Sequence, residues 1–387
     1  MATVVTGLAR LLDDRADLVR GRRVGLVAHP ASVTEDLTHA TTVLRRAGAE
    51  LRALFGPEHG VGGEAQDMEG VRDGDSPFAG IPTRSLYGDS LDSLSPQDAW
   101  LDGLDAVVVD LQDVGSRYYT FVWTTLLMAR ACARRGLEVI VCDRPNPLGG
   151  EHIEGAPQRP EERSFVGLEC TPVRHGLTVG EILAWRAREE SLDNVRVVDM
   201  LGWRRAMRFE DTGLPWVLPS PNMPTADTAR VYPGGCLLEG TNLSEGRGTT
   251  RPFELLGAPW LDASAVARAL EHEEGCALRP LTYRPMFHKH AGTTCRGVQV
   301  HVTDARRFSP YRVYLSLIRE ARAMSGFSWR TEKYEFVDDR PAIDLLTGDG
   351  DVRRAIDLGE PIESLLRIGE HRMRDWRESE RSRWRYP

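Results

Sequence analysis

A series of short apolar runs, each broken off by polar residues, most constrains what this chain can fold into. The runs are Arg23 to Ala28 (RVGLVA), Leu51 to Phe55, Asp105 to Leu111 (DAVVVDL) and Leu137 to Cys142 (LEVIVC). They are short and apolar, so they read as buried strands. Helical periodicity falls between them. Thr120 to Arg135 places Val122, Leu126, Leu127 and Ala131 on one stripe. Ser32 with Glu35 reads as a capping box opening a helix to about Ala47, and Thr178 with Glu181 caps another through about Glu189. Val195 to Met200 adds a further short strand. This alternation predicts an α/β fold with a Rossmann-like, mostly parallel, doubly wound sheet.

A chain of 387 residues is too long for one ordinary core, so two domains are expected. The texture changes after Pro233-Gly234-Gly235. Polar loops run to Glu254, followed by a helix near Ala263 to Glu271, a strand at Val298 to Val302 and a helix near Tyr311 to Met324. The tail, His371 to Trp384, is charged and helix-forming. The expected division is a Rossmann-like catalytic domain over 1–233 and a smaller α+β auxiliary domain over 234–387 that lends loops to the cleft. Residues 61–104, rich in Gly, Asp, Ser and Pro, read as a long functional excursion.

Composition narrows the function classes. Hydrophobic residues at 41% and charged residues at 27% give a soluble globular balance, and the net charge of -8 argues against a nucleic-acid partner. No apolar stretch is long enough to span a bilayer. Asp13, Asp14, Arg15 and Asp17 interrupt the amino terminus, which therefore does not read as a signal peptide. The six cysteines form no CxxC pair, so neither a zinc cluster nor a disulfide framework is indicated, and a reducing cytoplasm is expected. His29-Pro30-Ala31-Ser32 follows the first strand where a dinucleotide fingerprint would stand; a P-loop and a G-x-S-x-G elbow are missing too. His288 and His290 flank Lys289 at a spacing that suits a strand face better than a metal site. No external cofactor or metal is expected.

Polar residues cluster where the strands end. Proline cannot continue a central strand, so the run Leu51 to Phe55 stops at Gly56-Pro57. Glu58 and His59 then sit at a strand's carboxyl end, where open α/β sheets bind ligands. The strand ending at Leu111 releases Gln112 to Thr120, and the one ending at Cys142 releases Asp143-Arg144-Pro145-Asn146-Pro147. Glu58, Asp113 and Asp143 are thus expected on one sheet edge. Downstream come Arg174-His175-Gly176, Ser220 to Thr225 with the amide of Asn222, Glu239-Gly240-Thr241-Asn242, and Glu245 to Thr249. Planar polar side chains on glycine-punctuated loops suit a ligand with many hydroxyls, with Tyr118, Tyr119 and Trp123 as an aromatic wall. The plain alternatives are that Asp143-Arg144 is an internal ion pair, that the tyrosines are core, and that His175 is a cap or core residue.

The strings FGPEHG (55–60), DLQDVGSRYYT (110–120), DRPNP (143–147), HGLT (175–178), SPNMPT (220–225), EGTN (239–242) and GRGTTRPFE (246–254) run in family order over most of the chain. Together they resemble the NamZ-type exo-β-N-acetylmuramidases, glycoside hydrolase family 171. The resemblance implies a site in the cleft between subdomains and release of N-acetylmuramic acid from non-reducing ends of peptidoglycan fragments. A small muropeptide or disaccharide is then the partner. Many relatives are exported, so the substrate is either the wall or imported fragments.

Carried over residue by residue, Glu58 matches the family's expected catalytic glutamate. Its partner is Asp113 or Glu239, with Glu154 in a looser motif, Glu154-Gly155-Ala156-Pro157. His59, Asp110, Arg117, Tyr118, Asp143, Arg144, Asn146, Glu154, His175, Asn222, Asn242, Arg247 and Glu254 are the expected substrate-binding positions. A glycosidase of the usual kind needs one protonated and one ionised carboxyl. Phe55 and Pro57 give Glu58 the apolar setting of an acid, and His59 is near enough to modulate its proton. Muramic acid carries a lactyl carboxylate. The only lysines, Lys289 and Lys333, lie outside the motifs, so Arg117, Arg144 or Arg247 is expected to read it. Competing readings are a sugar-binding sensor of the same fold and a metal-dependent hydrolase using Asp110, Asp113 and His59.

Overall fold

The computed structural model describes residues 3–66, 68–70 and 80–387, so part of the predicted excursion, residues 67 and 71–79, lies outside the described residues. In chain order the first elements are α1 (Gly7–Leu12), β1 (Arg23–Ala28), α2 (Ala40–Arg46), β2 (Glu50–Gly56), β3 (Thr83–Ser85) and β4 (Ala106–Asp110). They continue with α3 (Phe121–Arg134), β5 (Glu138–Cys142), α4 (Val179–Glu189) and β6 (Val195–Val198). All six strands are parallel, in the order β3-β2-β1-β4-β5-β6. That is the doubly wound Rossmann order.

The strands are apolar throughout because both faces are covered. Val107 and Val109 of β4 pack into the cluster shared with α3 and α4, whereas Ala106 and Val108 join Leu8, Leu11, Val43 and Leu44 from α1 and α2. Alternate side chains of a strand point to opposite faces, so each run feeds two cores at once.

The predicted helix starts hold at one end and fail at the other. The Thr178–Glu181 capping box is present, with Thr178 accepting from Glu181 N and Glu181 accepting from Thr178 N. The Ser32–Glu35 box is not: α2 begins at Ala40 and is capped by His39. Ser32 instead accepts from His29 N at 3.0 Å and donates to the carbonyl of Asp110, so its hydroxyl ties β1 to β4. Strand β3 escaped the sequence reading because its three residues, Thr83-Arg84-Ser85, carry no apolar run.

Helix α5 (Ala226–Gly235) runs through Pro233-Gly234-Gly235, where the sequence shows only a change of texture. Gly234 is required by packing: a Cβ there would lie 2.1 Å from the carbonyl oxygen of Pro310. Beyond it come β7 (Leu255–Ala258), α6 (Ala263–Ala269), β8 (Cys276–Tyr283), β9 (Cys295–Val302) and α7 (Pro310–Arg322). Four short helices follow, α8 (Ala342–Thr347), α9 (Gly350–Asp357), α10 (Ile362–Arg367) and α11 (Glu370–Glu378). The three strands form a small antiparallel sheet, β7-β9-β8. His288 and His290 lie in the β8–β9 connection with φ of 67° and 57°, not on a strand face as predicted. One apolar cluster runs from Val27 through Tyr232 of α5 and Tyr314 of α7 to Trp376 of α11. Among the described residues no helix is long and apolar enough to cross a membrane.

Candidate active site

The carboxyl ends of β1 and β4 flank the point where strand order reverses, which is where a nucleotide sits in a sheet of this kind. Here side chains bridge that crevice. Arg144 grips both oxygens of Asp110 at 2.8 and 2.6 Å and donates to Val33 O. His29 accepts from Gln112 N through Nε2 at 2.9 Å and meets Pro219 O through Nδ1 at 3.1 Å. A carbonyl only accepts, so Nδ1 carries the proton and the ring is neutral; burial pushes its pKa down to about 3. His29 thereby pins the 219–225 loop to the end of β4, a positioning role with no sequence motif to reveal it.

The cavity lies to one side, between the end of β2, the start of α3 and the loops 220–223, 239–253 and 334–335. Glu58, His59, Asn222, Glu239, Arg247 and Glu335 supply its polar lining. The apolar wall is Tyr118, Tyr119, Phe121, Tyr232 and Phe253, rings that meet edge to face at centroid distances of 4.7–6.0 Å. Trp123, expected in that wall, is fully buried beneath it and donates Nε1 to Arg117 O at 2.7 Å.

Glu58 emerges one residue past Pro57 and accepts from the Thr120 hydroxyl at 2.7 Å through Oε2. Thr120 is the N-cap of α3 yet makes no side-chain cap. Its hydroxyl is spent on Glu58, giving up a bond that ordinarily steadies a helix by about 1 kcal/mol. His59 has φ 71°, unusual for a residue with a Cβ. Its Nδ1 donates to Ala65 O at 2.8 Å, and burial lowers its pKa, so a neutral ring offers Nε2 as an acceptor.

Glu239 is held differently. Oε1 accepts from Arg247 and Oε2 from the Tyr334 hydroxyl, both at 2.7 Å. Arg247 also stands 3.3 Å from Glu245. Glu245, fully buried, gathers His288 at 2.8 Å and Lys289 at 3.0 Å. Burial alone would raise its pKa, but Lys289, His288 and Arg247 outweigh that and hold it well below the usual carboxylate range. Lys289, distant from the motifs in sequence, is thus bonded into them, and it donates to the carbonyls of Leu238 and Leu243 as well. Gly248 permits this closeness, since a Cβ there would lie 2.6 Å from Phe287 N.

Glu335 is the carboxylate that sequence reasoning missed. It is buried, sits at φ 45° and accepts from the Tyr87 hydroxyl at 3.3 and 3.2 Å. Its only sequence signal is a carboxylate between two aromatics, Tyr334 and Phe336.

The structure brings Glu58, His59, Tyr118, Asn222, Glu239 and Arg247 together around the cavity. The other expected positions lie outside its lining. Arg117 is buried and donates to the carbonyls of Thr171 and Leu346. Asp143 caps α4, accepting from Thr178 Oγ1, Gly180 N and the Tyr386 hydroxyl, with its pKa pushed by burial to about 6. Arg144 pairs with Asp110 rather than with its chain neighbour Asp143. Asn146 bridges Leu177 O and Leu148 N. Glu154 staples Arg174 to Ser309 and Tyr311 at the start of α7. Asp113 accepts from Gly115 N at 2.6 Å, stands 3.9 Å from His175 and is pushed by burial to about 7. His175, neutral, accepts from Leu177 N. Asn242 clasps Gly326 and Ser328, and Glu254 accepts from Thr228. The trio Asp110, Asp113 and His59 has separate partners, and among the described residues no three His, Cys, Asp or Glu side chains gather as a metal site.

Comparison with known proteins places this geometry in a family. Residues 24–227 match the family described as exo-beta-N-acetylmuramidase NamZ, N-terminal, and residues 230–386 match its C-terminal counterpart. The peptidoglycan beta-N-acetylmuramidase NamZ of Bacillus subtilis (strain 168) is 41% identical over 367 residues, covering 94% of this chain and 86% of that protein. A crystal structure of a DUF1343 family protein from Bacteroides fragilis NCTC 9343 superposes with a TM-score of 0.89 at 30% identity, each chain covered in full. A second from the same organism gives 0.76 at 23% identity, covering 100% of this chain and 99% of that one, a likeness of fold. With both halves matched, this chain belongs to the NamZ family of exo-β-N-acetylmuramidases, a family of glycosidases.

Proposed function

We propose that this protein is an exo-acting glycoside hydrolase that releases N-acetylmuramic acid from the non-reducing ends of peptidoglycan fragments. The observation that carries the reading is a pair of carboxyls on one cavity in contrasting surroundings. Glu58 accepts from a neutral hydroxyl, whereas Glu239 meets a guanidinium and a phenol. A glycosidase of the usual kind needs two carboxyls in different roles, and these two have different partners. Glu58 protonates the glycosidic oxygen as the bond breaks. Glu239, held at both oxygens, faces the positive charge that grows on the sugar. His59 orients a sugar hydroxyl or water through Nε2. The rings of Tyr118, Tyr119 and Tyr232 supply an apolar wall for the pyranose. Arg247 is the only one of the three candidate arginines in the lining and reads the lactyl carboxylate.

The test is Glu58→Gln on a chromogenic N-acetylmuraminide and on a muramyl-terminated disaccharide, with the product identified. General acid catalysis contributes at least ~100-fold, so turnover should fall by that much while the unfolding midpoint holds. Near-normal turnover would place the acid elsewhere.

A further inference from the structure

We infer that the groove beside the cavity is the subsite for the leaving saccharide, an oligosaccharide aglycone bearing a carboxylate; this rests on the glycosidase reading above. The groove is bounded by Thr241-Asn242, the His288–His290 segment and Ser328–Arg330 with Glu332. It shares a wall with the cavity. Thr241 bridges Trp329, Asn242 N donates to Ser328 O at 3.0 Å, and Arg330 N donates to Gly240 O at 2.9 Å. Glu239, on the cavity side, is two residues from Thr241, within roughly 7 Å along the backbone. Tyr334 closes the other end: its hydroxyl holds Glu239, and the Arg330 guanidinium lies over its ring at 5.0 Å. The two sites thus adjoin, with Glu239 on one side of this ladder and the groove on the other.

The groove's chemistry fits a sugar that carries a negative charge. Trp329, half-buried and braced edge-on by Phe327 at 4.9 Å, is an aromatic platform of the kind that sugar faces stack on. Arg330 has no carboxylate partner among the described residues; its Nη2 meets only Lys333 O and Met68 Sδ. Lys289 is spent on Glu245 and two carbonyls, so it fixes the loop and leaves recognition to Arg330 and His288. His288 gives Nδ1 to Glu245 and keeps Nε2 for a ligand. Glu332 is the opposing charge on this rim. His288 and His290 turn the connection through the left-handed region, with φ of 67° and 57°. In a chain that alternates glucosamine and muramic acid, removing a terminal muramic acid leaves an uncharged sugar first and a carboxylated one second. Arg330 is the cation in this groove that is placed for that second sugar.

Two measurements test this. Calorimetry compares binding of the disaccharide N-acetylglucosaminyl-N-acetylmuramic acid with binding of uncharged chitobiose. The wild type should prefer the acid, Trp329→Ala should weaken both by roughly tenfold, and Arg330→Met should abolish the preference. Kinetics compares a muramyl-terminated tetrasaccharide with an aryl muraminide. The ratio of their kcat/KM values should fall about tenfold in Trp329→Ala and recover largely in Trp329→Phe. An unchanged ratio, equal binding of both disaccharides, or no binding by the wild type overturns the inference. If the wild type hydrolyses neither glycoside, the glycosidase reading falls, and calorimetry still decides the groove.

Discussion

Replacing Tyr334 by phenylalanine isolates the role of Glu239. The ring stays, and with it the contact to Arg330; only the hydroxyl that donates to Glu239 Oε2 at 2.7 Å is lost. Tyr334 and Glu239 are both 2% exposed, so water does not readily replace the donor. A hydrogen bond to a charged group contributes about 1.5–3 kcal/mol, and each ~1.4 kcal/mol is tenfold in rate. If Glu239 faces the cationic transition state, kcat on an aryl muraminide should fall roughly ten- to a hundredfold, with a smaller change in KM. Stability should fall too, by about 1–3 kcal/mol, because a buried acceptor is left unsatisfied. The assay is kcat and KM beside urea unfolding of the same preparation. A kcat within about twofold of wild type, together with the expected loss of stability, would refute the reasoning: Glu239 would then be a structural anchor for Arg247.

Two further outcomes are expected. Arg247→Met should lower kcat/KM on a muraminide by roughly ten- to a hundredfold more than on the matching glucosaminide, because a charge-assisted contact to the lactyl group is lost; equal losses would mean that Arg247 serves only Glu239 and Glu245. Asp113 is raised by burial to about 7 from an unfolded value near ~3.9, so the folded state holds this proton more tightly. Its stabilising contribution is full below about pH 4 and is lost as pH rises through about 7. Between pH 5 and 8 the wild type should therefore lose roughly 2–3 kcal/mol that Asp113→Asn retains; parallel urea-unfolding profiles for the two proteins would contradict this.

What the sequence determined by itself is local and periodic. An apolar run such as Val107 to Val109 has to be buried wherever it lies, and Pro57 has to end β2, so the sheet and the position of Glu58 at its edge are written into neighbouring residues. The Thr178–Glu181 box is also a matter of neighbours and appears as read. Ser32 failed as a cap because its hydroxyl found the carbonyl of Asp110, a partner 78 residues away. The same holds for the ion pairs. Arg144 adjoins Asp143 in the chain but bonds Asp110, whose buried carboxylate needs a cation more than Asp143 does, with helix α4's N–H and two hydroxyls already around it. The cavity is decided entirely at this level. Glu58, Thr120, Glu239, Tyr334 and Glu335 come from segments as much as 277 residues apart. Motifs marked several of them, but which carboxyl meets a hydroxyl and which a guanidinium depends on side chains that only packing brings within hydrogen-bond reach.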